Sequence, residues 1–137
     1  MLKKKINYVD FDGKPGVMEA HFNLTETELV TLESSYDFGL EETIKRIARE
    51  QNQARLIEEF KRIIQMAYGV RSGEYFEKEA EHFRRFKAHP AYDALFMQLA
   101  TDANAAADFM QGIIPEKHRT ERDQDKPLMP PTPPTTV

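Results

Sequence analysis

The chain has 137 residues, no Cys and no Trp, and 19 Lys and Arg against 23 Asp and Glu, for a formal charge of −4. That length accommodates one domain with a modest core, and the missing thiols exclude a disulfide framework, a thiolate metal cluster and a cysteine nucleophile. A weakly negative balance gives no general attraction to phosphate backbones or anionic lipid.

The N-terminus, Met1-Leu2-Lys3-Lys4-Lys5-Ile6, is basic, but apolar and polar residues then alternate where a secretory signal would need an apolar run. No stretch approaches the roughly 20 apolar residues of a membrane span. A soluble protein of the cytoplasm is the expectation, and on that view Asn23-Leu24-Thr25, although it matches a glycosylation acceptor, opens a helix instead. Lys5–Phe11 and Val17–Phe22 read as two strands of a hairpin, because they alternate and carry β-branched and aromatic residues. Asp12-Gly13-Lys14-Pro15-Gly16 punctuates the turn between them. An isolated hairpin is marginal in water, so it must pack on the helices that make up the rest of the body.

Thr25-Glu26-Thr27-Glu28 places a hydroxyl three residues ahead of a carboxylate, the pattern of a helix cap and its box. Gly39 interrupts, and Leu40 to Tyr68 then carries Leu40, Ile44, Ile47, Leu56, Ile57, Phe60, Ile63, Ile64 and Ala67 at helical spacing. Arg49–Gln53 lacks large apolar residues, which predicts a break with Asn52 as a second cap. Gly69 is expected to close the last turn in the left-handed conformation, and Val70–Gly73 to be a loop. Ala80, Phe83 and Phe86 predict a helix from about Glu77 to Ala88. Pro90 suits a first helical position, with Tyr92, Leu95, Phe96 and Leu99 on one face of the helix it starts. Asp102 caps a last helix, carrying Ala106, Phe109, Met110 and Ile113, which Pro115 ends.

Five of the eight prolines fall between Glu116 and Val137, a stretch too poor in apolar side chains to offset its ordering entropy. The expectation is therefore a single domain over residues 1–115 and a flexible, partly polyproline-II tail over 116–137. The tail's four basic and four acidic residues cancel, which leaves the body with the whole net charge.

Residues able to carry chemistry are sparse. Asp10-Phe11-Asp12-Gly13 begins like a calcium loop, but Lys14 and Pro15 break the ligand ladder and no bidentate Glu follows at the required place. The four histidines, His21, His82, His89 and His118, include no i, i+4 pair, and His82 and His89 are two helical turns apart, about 10 Å. Glu41/Glu42 and Glu58/Glu59 are sequence neighbours, hence on different azimuths of a helix. There is no phosphate cradle and no nucleophile elbow. No catalytic residue, metal or cofactor is predicted. Phe83-Arg84-Arg85-Phe86-Lys87 interleaves aromatic and basic residues as single-strand nucleic-acid binders do, yet on a helix Phe83 and Phe86 share a face and the bases point elsewhere. The amphipathic stripes, with Met66, Met97 and Met110 near them, read as core or as an adaptable groove for a partner helix.

The 24-residue run from Tyr92-Asp93-Ala94-Leu95-Phe96-Met97 through Ala105-Ala106-Ala107-Asp108-Phe109-Met110 to Gln111-Gly112-Ile113-Ile114-Pro115 resembles the C-terminal signature of the tail assembly chaperones of long-tailed, siphovirus-type bacteriophages of Gram-positive hosts. Leu56–Ile64, Tyr68–Gly73, Phe76-Glu77-Lys78 and the hairpin followed by Phe22-Asn23-Leu24-Thr25 are similar to these proteins as well. The resemblance covers nearly all of the body and not the proline-rich tail. It implies a non-enzymatic assembly factor of the host cell cytoplasm. Such a factor binds the long helical tape measure protein, keeps it soluble, helps recruit tail tube protein, and is absent from the mature virion. In many such phages a ribosomal frameshift near the end of the reading frame yields a longer product, and residues 116–137 are where that would occur.

The expected fold is α+β and mostly α-helical, an N-terminal β-hairpin packed on a compact bundle of five or six short helices. Expected partner contacts are Phe60, Ile64, Tyr92, Phe96, Met97, Phe109, Met110 and Ile113, since the most specific part of the resemblance falls on most of them; self-association is a further expectation, and neither nucleic acid nor membrane is an expected partner. Two alternatives are a structural or tail-completion virion protein and a small regulatory nucleic-acid-binding protein.

Overall fold

The computed structural model describes residues 1–115; the sequence-predicted tail, 116–137, lies outside the described residues. Strands β1 (Leu2–Val9) and β2 (Pro15–Phe22) are followed by helices α1 (Glu26–Glu33), α2 (Leu40–Arg49) and α3 (Gln53–Ala67). Next come strands β3 (Tyr68–Ser72) and β4 (Tyr75–Glu77), and then helices α4 (Ala80–Lys87), α5 (Pro90–Thr101) and α6 (Ala103–Ile113). The strands form one antiparallel sheet in the order β1-β2-β3-β4.

The first hairpin forms as its sequence predicts, with its strands displaced toward the N-terminus on β1 and begun two residues earlier on β2. Turn chemistry fixes the boundary: the Asp10 carboxylate accepts from the backbone N–H groups of Asp12 and Lys14, both at 2.8 Å, and Gly13 takes φ +83°. Asp10 thus serves its own turn, and among the described residues no group of three or more His, Asp or Glu side chains is placed to hold a metal ion. Inward Ile6, Ala20 and Phe22 are buried, while Lys3, Lys5, Val9, Val17 and Glu19 face solvent.

The predicted caps are present. Thr25 Oγ1 accepts from Glu28 N at 3.1 Å while the Glu28 carboxylate accepts from Thr25 N at 2.9 Å. Asn52 accepts from Arg55 N across the break between α2 and α3, where Gln51 turns the chain with φ +57°. Pro90 is the first residue of α5, and Asp102 accepts from the N–H groups of Asn104 and Ala105 to start α6.

Three expectations are corrected. Gly69 does not end α3 in the left-handed region; the chain passes at Tyr68, φ −69° and ψ 141°, directly into a strand. Glycine is required there for another reason, because a Cβ would lie 2.8 Å from the Phe76 ring and 2.9 Å from the Glu77 carbonyl oxygen. Nor is Val70–Gly73 a loop. Val70, Arg71 and Ser72 pair with Glu77, Phe76 and Tyr75, and Gly73 supplies the left-handed φ of +60° at the first of two turn residues. Pairing of Glu77 with Val70 also delays α4, which begins at Ala80 and not near Glu77. The body therefore holds a second hairpin as well as helices.

One continuous core joins the sheet to the helices. At its centre the fully buried Phe22 ring meets Tyr68, Phe86 and Phe109 with centroids 5.7, 6.1 and 5.1 Å away. Lys78, between β4 and α4, reaches inward: its ammonium donates to the carbonyls of Asn23 at 2.6 Å and Met66 at 2.8 Å and pairs with the capping Glu28 at 2.5 Å. That one side chain ties the start of α1, the end of α3 and the second hairpin together.

Candidate functional site

Six of the eight predicted contact residues lie inside. Phe60, Ile64, Phe96, Phe109, Met110 and Ile113 are all buried, and the faces of α3, α5 and α6 that bear them close on each other and on the sheet. Tyr92 is half-buried against Phe83, Phe86 and Phe96. Only Met97, 51% exposed, stands on the surface. A stripe on a helix records that a face is covered, and here the cover is the chain itself; apart from Met110, which also borders a groove, these side chains cannot meet a partner unless the core opens.

A groove is nonetheless present, elsewhere on the same helices. The C-terminal half of α2, the turn to α3, the end of α5 and the first two turns of α6 surround an open furrow of about 640 Å³. That volume is in the range of sites that enclose several side chains. Its floor is apolar: Ile44 and Ile47 from α2, Leu56 from α3, Leu99 from α5 and Met110 from α6. Its walls are largely alanine, Ala48 on one side and Ala100, Ala103, Ala106 and Ala107 on the other. Small side chains let a second helix approach backbone to backbone and place its larger residues in the furrow. Ala48 and Ala103 are exposed on opposite rims, and Ala100 and Ala107 are half-exposed between them.

The rim is charged on α2. Lys45 and Arg49 are exposed there, Lys45 3.4 Å from Glu41 and Arg49 3.2 Å from Glu42. Such solvated pairs are worth little and exchange readily for other partners. Met110, predicted as a contact, forms part of the floor; Met97 lies outside the furrow. Periodicity could not reveal the groove, since its signature is alanine at five wall positions where a closed helix pair would carry larger side chains.

A smaller recess of about 260 Å³ lies on the other side of α2, bounded by Tyr36, Phe38, Arg46 and Arg55. Arg46 sits 4.1 Å above the Phe38 ring. The Tyr36 hydroxyl donates to Glu59, with Arg62 beside it. Burial raises the Tyr36 phenol well above its ordinary pKa, the hydrogen bond to Glu59 and that carboxylate's charge add to the rise, and Arg62 opposes it. The folded state thus keeps a proton that the unfolded chain loses near pH 10. The stability Tyr36 contributes is complete below that pH and declines as pH rises beyond it. Urea midpoints between pH 9 and 11.5 are expected to fall less steeply in Tyr36→Phe than in the parent; burial raises Tyr68 and Tyr92 as well, and the comparison of the two chains cancels their effect.

The aromatic and basic run on α4 is divided as its helical spacing predicts. Phe86 is buried and stacks on Tyr68 at 4.3 Å, and Phe83 is half-buried against Tyr92. The rings that base stacking would need therefore belong to the core. No described helix is long and apolar enough to cross a membrane.

A family model described as phage tail assembly chaperone matches residues 1–135, and so extends over most of the proline-rich stretch that the resemblance was expected to leave out. No curated protein and no solved structure matches the chain.

Proposed function

The chain belongs to the phage tail assembly chaperone family, and on that premise we propose that it holds apolar helical stretches of the tape measure protein in the furrow between α2/α3 and α5/α6. In this reading it works in the host cytoplasm of a siphovirus-type phage, forms and breaks no covalent bond, helps recruit tail tube subunits to the covered rod, and leaves before the tail is complete. The observation that supports it is the furrow itself: an apolar floor with alanine walls, open to solvent and bordered by exposed charge. A very long helix with hydrophobic stretches aggregates unless those stretches are covered, and covering many different ones calls for an apolar seat of low specificity. Alanine walls suit that task because they exclude few side-chain shapes.

The test is co-expression of the full chain with its phage's tape measure protein. The soluble fraction of the tape measure protein should rise with the parent chain and fall to the level without chaperone when Ala103→Glu fills the furrow. Equal solubility with both chains would overturn the placement. Persistence of the protein in purified virions would favour the tail-completion alternative.

A further inference from the structure

The sheet has an unpaired edge. β1 is its outermost strand and pairs with β2 along one side only; among the described residues, Leu2–Val9 make no backbone hydrogen bond beyond that pairing. The parity of the hairpin decides which groups are left over. Asp10 N donates to Lys14 O at 2.8 Å, in the register that also pairs Val9 with Pro15. Even-numbered residues of β1 therefore bond to β2, and the N–H and C=O groups of Lys3, Lys5 and Asn7 point away from it. The side chains of these three residues are exposed on the outward face. An edge with lysine at alternate positions repels a second copy of itself and suits a strand with carboxylates at alternate positions.

Glu121-Arg122-Asp123-Gln124-Asp125 has that pattern, three carboxylates with a period of two. The segment lies outside the described residues, but the chain sets out toward it from beside β1. Gly112, near the end of α6, is so close to Leu2 that a Cβ there would lie 2.9 Å from the Leu2 side chain. The six residues from Pro115 to Glu121 can span about 20 Å, and Lys5 is about 10 Å along the strand from Leu2. Pro127 has no N–H to give a ladder and sets the far limit of pairing.

We propose that residues 121–125 add to the outer edge of β1 as a fifth strand, with Asp123 beside Lys5. Pairing in either direction keeps Asp123 at Lys5 and sets the other two carboxylates beside Lys3 and Asn7, on one face. Exposed charge pairs are weak one at a time, so the backbone ladder holds the segment and the charges select its register. The contact closes the edge to strands of other chains. β1 meets the end of α6 through Leu2 and the cap of α5 through Tyr8 and His89, whereas the furrow is formed at the other ends of those helices and stays open. The inference thus stands apart from the tape measure reading.

Because the chain has no cysteine, an introduced pair reports without background. In the full chain, Lys5→Cys with Asp123→Cys is expected to close an intrachain disulfide in mild oxidant, since facing strand residues lie within bonding reach. Lys5→Cys with Gln124→Cys is expected to close more slowly, because a strand turns successive side chains to opposite faces. Amide hydrogen exchange gives a second reading. Asp123→Lys sets like charges side by side, and the Lys5 amide is expected to exchange about 10-fold faster than in the parent. The Ile6 amide, which bonds to β2, is expected to be unchanged. Equal closing rates for the two cysteine pairs, a disulfide that joins two chains, or a Lys5 amide that exchanges alike in Asp123→Lys and the parent would each overturn the inference. Failure of the parent to solubilise the tape measure protein, with the disulfide and exchange results as expected, would sink the functional reading alone.

Discussion

Met110→Asp is expected to unfold the protein, and Met97→Asp to leave its circular dichroism and urea midpoint nearly unchanged. The two methionines lie on consecutive helices within the same family-like run, but Met110 falls on the apolar stripe of its helix and Met97 lies off that of α5. Met110 is buried under α6 where the core meets the furrow floor, so aspartate there loses the packing of a long side chain and brings in a carboxylate with no cationic partner. Loss of packing at such a site and an uncompensated buried charge each cost about 3–5 kcal/mol. Domains of this size have about 5–15 kcal/mol in total, so either cost removes much of the margin. Met97 is half-exposed on the outer side of α5, where a charged residue meets water and a change within about 0.5 kcal/mol is expected. A Met110→Asp chain with a native melting profile would show that the α5–α6 packing described above is wrong.

The second large effect is expected at the furrow. Ala48→Arg and Ala103→Glu each place a long charged side chain on a rim, and both suit the ends of the helices they join: arginine near the C-terminus of α2 and glutamate at the first residue of α6. Neither should lower stability by more than about 0.5 kcal/mol. Each should nonetheless weaken tape measure binding by about 2 kcal/mol, roughly 30-fold, the effect of losing one well-buried contact residue. The matched conservative variants, Ala48→Ser and Ala103→Ser, keep the furrow open and are expected to retain binding. Isothermal titration of each chain with a tape measure segment, together with its urea midpoint, separates a filled furrow from a damaged fold.

Much of the architecture was legible because it is written in local chemistry. Thr25 with Glu28, Asn52, Pro90 and Asp102 each announce a helix start through a side chain that satisfies nearby backbone donors or fixes φ, and each does so in the structure. The first hairpin is eight residues a side, long enough for alternation to show. The second was missed because β4 is three residues long and its pairing rests on Gly69 admitting the Phe76 ring, a contact between residues of different strands that no period reveals. Ser72-Gly73 between Val70 and the aromatic pair Tyr75-Phe76 was the available signal.

The proposed binding surface was less legible than the fold. The resemblance points to Phe60, Ile64, Phe96, Phe109, Met110 and Ile113, all on apolar helical stripes, and that apolarity buries them in one core. The furrow is defined by what its walls lack, and alanine at 48, 100, 103 and 107 is too weakly apolar to stand out from a helix surface.

The most direct measurement of where the tape measure protein sits is site-specific photo-cross-linking from the full chain during co-expression. A photoreactive side chain at Gln53, exposed on the furrow rim, should yield a covalent adduct with the tape measure protein, and one at Tyr75, exposed on the second hairpin and outside the furrow, should yield none. An adduct from Tyr75 with none from Gln53 would contradict the furrow as the seat of the tape measure helix.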